Sequence, residues 1–178
     1  MLRILIIIMF FCLSVKADQY DKRLEILFSQ LLITENETKI KTIKLKIWDI
    51  WHETNDPKIN ADFFRGIGLM HNGNLKESIK FFSKVIEKNP NFAEAWNKRA
   101  TVFYMLGEYD KSMTDINTTL KLEPRHFGAM DGMILIFLQK GKVDQAVKIY
   151  DEIIKIFPKS KSTLKAKQKL LNYNNNSA

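Results

Sequence analysis

The sequence contains few of the residues that build disulfide bonds, metal sites and flexible linkers. Its 178 residues include one cysteine, three histidines, four prolines and seven glycines. The single cysteine, Cys12, lies in an apolar N-terminal run, so the rest of the chain has no thiol for a disulfide or for thiol catalysis. Because glycine and proline are scarce, we expect a folded domain without long linkers.

Sequence motifs for catalysis and metal binding are also missing. His52, His71 and His126 are not spaced four residues apart, and none stands beside a second ligand at metal-site spacing. The sequence has no glycine-rich phosphate loop after a strand and no GxSxG turn. It therefore predicts a non-catalytic protein that needs no metal and no cofactor.

The formal net charge of +8 is the strongest bias in the composition. A basic protein can attract nucleic acid, anionic lipid or acidic partners. Lysine supplies 23 of the 28 basic residues, however, and scattered lysines are typical of solvated helix faces. We expect no nucleic-acid partner, and a functional basic surface remains the alternative.

The N-terminus has the three-part pattern of a secretory signal peptide. Arg3 gives a positive start, residues 4–15 form an apolar run, and Val15-Lys16-Ala17 ends in a small residue. The run is shorter than the roughly 20 residues that span a bilayer. We predict a signal peptide over residues 1–17, cleavage after Ala17, and a periplasmic or secreted product. An uncleaved membrane anchor is the alternative.

Two residue types recur with a period of 34 residues in the remaining chain. They are Pro90, Pro124 and Pro158, and Gly73, Gly107 and Gly141. A period of this length is typical of a helix–turn–helix unit that stacks on copies of itself. Glycine can end the first helix of each unit in the left-handed conformation, and proline can end the second.

The second unit carries the most detailed motif. It reads Ala93-Glu94-Ala95-Trp96-Asn97, then Tyr104, Gly107-Glu108-Tyr109-Asp110 and Leu122-Glu123-Pro124, and it resembles the tetratricopeptide repeat. The wider sequence is similar to exported tetratricopeptide repeat proteins of alphaproteobacteria, a group without a well-defined activity. The third unit matches less fully, and in the first Asp62 stands where a bulky residue is expected. The resemblance implies a short α-solenoid.

The sequence thus predicts an all-α fold of three helical hairpins with a further hairpin before them. We place the N-terminal hairpin at residues 18–56 and the repeat domain at residues 57–171, followed by a disordered tail at 172–178. The repeats span about residues 59–92, 93–126 and 127–160, and a capping helix spans 161–171. We expect the N-terminal hairpin, with Trp48 and Trp51 as packing residues, to cap the open end of the stack.

The first helices of such a stack line a concave groove, which suits an extended peptide or a partner helix. The residues expected to line this partner-binding groove are Phe63, Ile67, Met70, Asn97, Lys98, Thr101, Tyr104, Asp131, Leu135 and Leu138. The predicted function is a protein-interaction scaffold with a protein or peptide partner. The alternative is an envelope assembly factor held at the membrane by an uncleaved leader or by the basic C-terminal helix. The sequence does not specify the oligomeric state.

Arg99 departs from the repeat pattern because leucine is common at its position. An unpaired buried charge is very costly, so we expect Arg99 to pair with a carboxylate of its own hairpin, Asp115. The alternative is that the side chain extends to water.

Overall fold

The computed structural model of the protein describes residues 21–176, so the predicted signal peptide lies outside the described residues. Helices and short turns make up this range, and no strand occurs within it. The helices are α1 (Lys22–Ile33), α2 (Glu37–Trp51), α3 (Pro57–His71), α4 (Leu75–Lys88), α5 (Ala93–Met105), α6 (Tyr109–Leu122), α7 (Phe127–Gln139), α8 (Val143–Ile156) and α9 (Lys161–Asn176). The all-α prediction is confirmed for the described chain.

Three successive hairpins, α3–α4, α5–α6 and α7–α8, follow the 34-residue period. The first helix of each hairpin ends just before a glycine with a positive φ of 76°, 75° or 67°, at Gly73, Gly107 and Gly141. An L-residue with a side chain rarely adopts this backbone conformation, which is why glycine recurs there.

Small residues allow the two helices of a hairpin to lie close together. The Ser78 hydroxyl donates to the Gly66 carbonyl at 2.8 Å, and the Ser112 hydroxyl donates to the Ala100 carbonyl at the same distance. A Cβ atom at Gly66 would lie 2.8 Å from the Phe82 ring, so a larger residue there would push the helices apart.

The N-terminal hairpin α1–α2 lies along the repeats and not at the end of the stack beside the first repeat. Its buried side chains, among them Leu24, Phe28 and Trp51, share one hydrophobic core with Phe127 and Phe157 of the third hairpin. A second core, formed by the first two hairpins, contains none of its residues. The expectation of an end cap is therefore corrected, because long-range apolar contacts direct the hairpin to α7 and α8.

Polar contacts fix the direction of this hairpin. At the α1–α2 turn the Lys159 ammonium lies 2.7 Å from the Glu35 carboxylate, and the Glu37 carboxylate accepts from the Ser162 hydroxyl at 2.8 Å. At the other end of α2, the His52 ring lies 5.7 Å from the Phe63 ring of α3. Helix α2 therefore runs from the start of α9 back to α3.

Helix α9 packs on α8, where the Lys167 ammonium contacts the Asp151 carboxylate at 2.5 Å. The helix continues to Asn176, past the predicted end at residue 171. Residues 172–176 of the predicted disordered tail are therefore part of this helix, and residues 177 and 178 of that tail lie outside the described residues.

Candidate functional site

The inner faces of α3, α5 and α7 form the concave groove that the repeat pattern predicts, and α2 crosses part of it. We call the part beneath α2 the covered half; it includes Phe63, Glu94, His126 and Phe127. The remainder, toward the C-terminal ends of the three helices, is the open half. It contains Ile67, Thr101, Tyr104, Leu135 and Leu138, and the exposed Asp131 lies at the boundary between the two halves, within the electrostatic reach of Lys44 and His126.

An aromatic cluster holds α2 in the covered half. The Trp51 ring stacks on the His126 ring with centroids 4.1 Å apart, and the Trp48 ring meets the Phe127 ring edge-on at 5.6 Å. The Lys98 ammonium lies 4.8 Å from the centroid of Trp48. Contacts of this kind add to the free energy of simple apolar burial. The prediction that Trp48 and Trp51 are packing residues is confirmed.

A fully buried carboxylate, Glu94, joins the N-terminal hairpin to two repeats. It accepts from Nε2 of His126 at 2.7 Å, and Nε2 of His52 lies 3.2 Å away. The Lys98 ammonium is 3.0 Å from the same carboxylate, and the Asn97 amide donates to it at 3.2 Å. Because the Ala129 backbone N–H donates to Nδ1 of His126, Nε2 must carry the proton that reaches Glu94.

The electrostatics of this cluster favour the ionised carboxylate. Burial alone would raise the pKa of Glu94, but Lys98, His126 and His52 outweigh that effect and hold the pKa well below its ordinary value of 4.5. The Glu94 carboxylate is therefore a structural anion, since its hydrogen-bonding capacity is taken up by groups of the same chain.

The open half combines exposed apolar side chains with polar groups. Leu135 is 47% exposed and Leu138 is 38% exposed, both on α7. Thr101 is exposed on the neighbouring helix α5, and Tyr104 is half-buried with its ring 5.5 Å from that of Tyr109. This mixture of apolar and polar surface is typical of a protein-binding groove.

The structure divides the predicted groove residues into accessible and inaccessible groups. Thr101, Asp131, Leu135 and Leu138 are exposed, and Ile67 and Tyr104 are half-buried. Three predicted residues are corrected because they are buried: Phe63 is 0% exposed, Met70 8% and Asn97 5%. Lys98 is half-buried and is engaged by Glu94.

Sequence reasoning missed the cluster around Glu94. Its signal was weak, because a glutamate in the first turn of a helix is already explained by the helix dipole. His52 and His126 are 74 positions apart in the sequence, so no local pattern joins them. Their shared partner becomes visible only once α2 has been placed in the groove.

Two other classes of site, a metal centre and a membrane span, do not occur among the described residues. Among residues 21–176 there is no group of three or more histidine, aspartate or glutamate side chains arranged to hold a metal ion. The helices in this range are each too short or too polar to cross a membrane.

The chain is similar to known proteins in sequence. Two family models described as tetratricopeptide repeat match residues 81–114 and 129–160. A tetratricopeptide repeat-containing protein of Rhizobium etli is 33% identical over 137 residues, which cover 77% of this chain and 67% of that protein. Hsp70-Hsp90 organizing protein 3 of Arabidopsis thaliana is 28% identical over 102 residues, covering 56% of this chain but 18% of that protein.

Solved structures share the fold. The first TPR domain of Spaghetti (RPAP3), bound to an HSP90 peptide, superimposes with a TM-score of 0.60 at 17% identity, covering 67% of this chain and 95% of that chain. The TPR2B domain of yeast Sti1, in complex with an Hsp70 peptide, gives a TM-score of 0.60 at 14% identity. The match covers 69% of this chain and 100% of that chain.

Proposed function

The chain belongs to the tetratricopeptide repeat family, and from this premise we propose that it is a non-catalytic scaffold that binds a peptide or a helix of a partner protein in the open half of its groove. The observation that carries the proposal is the pair of exposed leucines, Leu135 and Leu138, beside Thr101 and Tyr104. Similar domains of Spaghetti and Sti1 have been solved in complex with peptides, which supports peptide binding by this fold.

The covered half has a different role in this proposal. Helix α2 fills it with aromatic and charged contacts, so a partner has access to the groove through its open half. The bound segment is therefore short, because it must fit beside α2. The exposed leucines supply apolar anchors, and Thr101 offers a hydroxyl that can fix the register of the partner.

A site-specific photo-crosslinker at position 138, in the full chain expressed in its own cells, tests the proposal. We expect it to capture a discrete partner, and the variant Leu135→Asp/Leu138→Asp to lose that partner in affinity capture. Leu164 on α9 is a matched control because it is apolar and 44% exposed. Equal capture from positions 138 and 164, or full retention of the partner by the double variant, would contradict the proposal.

We place the protein in the periplasm, since the N-terminal sequence has the pattern of a signal peptide. Cell fractionation and the N-terminal sequence of the purified protein test this location. A chain that begins at Asp18 in the periplasmic fraction is the expected result. A cytoplasmic chain that begins at Met1 would contradict it.

The alternative function is a membrane-associated envelope assembly factor. Helix α9 favours it, because its lysines are accompanied by exposed Leu164 and by Tyr173, which is 64% exposed. Amphipathic basic helices bind anionic lipid surfaces. Co-sedimentation with vesicles of anionic lipid, lost in Lys165→Gln/Lys169→Gln and in high salt, is the result that this alternative requires.

A further inference from the structure

We propose that the open half of the groove contains a pocket for one basic side chain of the partner, in which Asp131 pairs with an arginine or lysine. This inference rests on the proposed function, because it names the chemistry of the residue that enters the same groove. It follows from a cavity between α5 and α7 and from the carboxylate that lines it.

Missing side-chain volume creates the cavity. Small residues, Ala100 of α5 and Gly132 of α7, line the cavity together with Ser112 and Ile116 of α6. The cavity has a volume of about 170 Å³. At about 30 Å³ per water molecule it holds roughly six waters. It is smaller than the roughly 300–1,000 Å³ of typical small-molecule sites, so it suits a single side chain and not a cofactor.

Two hydroxyl groups of the cavity wall are engaged within the protein. The Ser112 hydroxyl donates to the Ala100 carbonyl at 2.8 Å, and the Thr101 hydroxyl donates to the Asn97 carbonyl at 3.0 Å. Asp131 is the one charged side chain among the lining residues. No residue in the described range forms a hydrogen bond or ion pair with its carboxylate.

The electrostatic surroundings of Asp131 leave room for a cation. The walls of the groove crowd this carboxylate although it meets solvent, and the resulting desolvation raises its pKa against the opposing effect of Lys44 and His126. The Lys44 ammonium lies 4.6 Å from the Phe127 centroid and 4.9 Å from the Phe157 centroid, which holds it on aromatic faces. His126 is engaged by Glu94. An arginine or lysine of the partner would offset the cost of desolvating the Asp131 carboxylate.

The lining of the cavity favours a long basic side chain. Tyr104 and Leu135 also line the cavity and can contact the aliphatic stem of a lysine or arginine that enters it, while the charged head pairs with Asp131. An acidic side chain would instead face the like charge of the Asp131 carboxylate, which disfavours it. The pocket therefore favours a partner side chain that is both long and positively charged.

An NMR titration of the full chain with Nα-acetyl-arginine methylamide tests the pocket directly. At constant ionic strength we expect amide shifts at Gly132 and Leu135, and a dissociation constant about fivefold weaker for Asp131→Asn. The uncharged Nα-acetyl-norleucine methylamide and the acidic Nα-acetyl-glutamate methylamide should bind more weakly to the unmodified chain. Asp49→Asn, at an exposed position of α2, is the matched control and should bind the arginine probe unchanged.

The outcomes separate this inference from the proposed function. Equal shifts with the arginine and norleucine probes, unchanged binding by Asp131→Asn, or preference for the acidic probe would each overturn the basic pocket. If that happens while position 138 still crosslinks a partner, the groove function stands and the pocket assignment fails. If the arginine probe binds as expected but position 138 captures nothing, the pocket stands and the scaffold function fails.

Discussion

The guanidinium of Arg99 joins three helices through one side chain. Its Nε and Nη2 donate to the two oxygens of Asp115 at 2.7 and 2.9 Å, and its Nη1 donates to the Ser83 hydroxyl at 2.9 Å. The prediction of an Arg99–Asp115 pair is confirmed. Two parallel bonds of this kind exploit the planar fork of arginine, which lysine lacks.

Replacing Arg99 with leucine should destabilise the protein by about 2–3 kcal/mol, because it leaves Asp115 buried without its cation. Asp115 is 3% exposed, so water compensates little of that loss. Urea unfolding and thermal melting measure the effect. The double variant Arg99→Leu/Asp115→Leu should recover most of the stability, since neither charge then remains. A single variant as stable as the original chain would show that the pair contributes nothing.

Glu94 gives the stability of the protein a defined dependence on pH. Its pKa in the folded state lies below the ordinary value of 4.5, so the ionised carboxylate contributes fully above about pH 5. The contribution is lost as the pH falls below 4.5 toward the lower folded-state pKa. We expect Glu94→Gln to cost about 2 kcal/mol at pH 7, where its charge-assisted hydrogen bonds are complete. The difference from the original chain should shrink between pH 5 and pH 3.

Urea unfolding of both proteins across this pH range measures the prediction. Glu53→Gln is a suitable control, because Glu53 lies at an exposed position. A stability gap between Glu94→Gln and the original chain that stays constant down to pH 3 would contradict the assignment of Glu94 as the titrating anion.

At the scale of helices, two glycines on the first helices of repeats should respond to alanine in opposite directions. A Cβ atom at Gly128 would collide with the Trp48 ring of α2, whereas a Cβ at Gly68 meets no atom within 4 Å. Alanine is about 1 kcal/mol more favourable than glycine in a helix interior. Gly68→Ala should therefore stabilise the protein by up to about 1 kcal/mol.

Gly128→Ala should destabilise the protein by about 1–2 kcal/mol, because overpacking against Trp48 exceeds the gain in helix propensity. Urea unfolding gives the difference in stability, and a change in tryptophan fluorescence reports movement of the indole. Together the two variants compare the cost of overpacking with the gain in helix propensity in the same protein. Stabilisation by both would mean that α2 does not press on α7 at this position.

The helices themselves were predictable from the sequence, whereas the position of α1–α2 was not. Gly107 and Pro124 mark helix ends by local conformational preference, which a sequence pattern reveals. The contact of Trp48 with Gly128 joins residues 80 positions apart and depends on the shape of the groove. Phe63 is buried in the core of the first two repeats, and Asn97 is buried beside Glu94 beneath α2. Both depend on contacts between distant residues, so the accessible part of the groove could not be derived from the repeat register.

At the scale of the whole molecule, the hairpins that share a hydrophobic core are not always neighbours in the sequence. The N-terminal hairpin shares its core with the third repeat, through Leu24, Trp51 and Phe127 among others. The first two repeats form a separate core around Phe63, Phe82 and Val85. A stack of repeats normally couples each unit to its sequence neighbours. Here the hairpin adds a long-range link that joins the two ends of the described chain.

This arrangement predicts that a cavity in α1 weakens the far end of the chain. Leu24→Ala removes a side chain that is 0% exposed and should cost about 3 kcal/mol. Native-state hydrogen exchange should show the largest loss of protection in α7 and α8, with a smaller loss in α3 and α4. Val85→Ala, at an equally buried position of the other core, should give the reverse pattern. Equal loss of protection throughout the chain in both variants would instead mean that the two cores unfold as one cooperative unit.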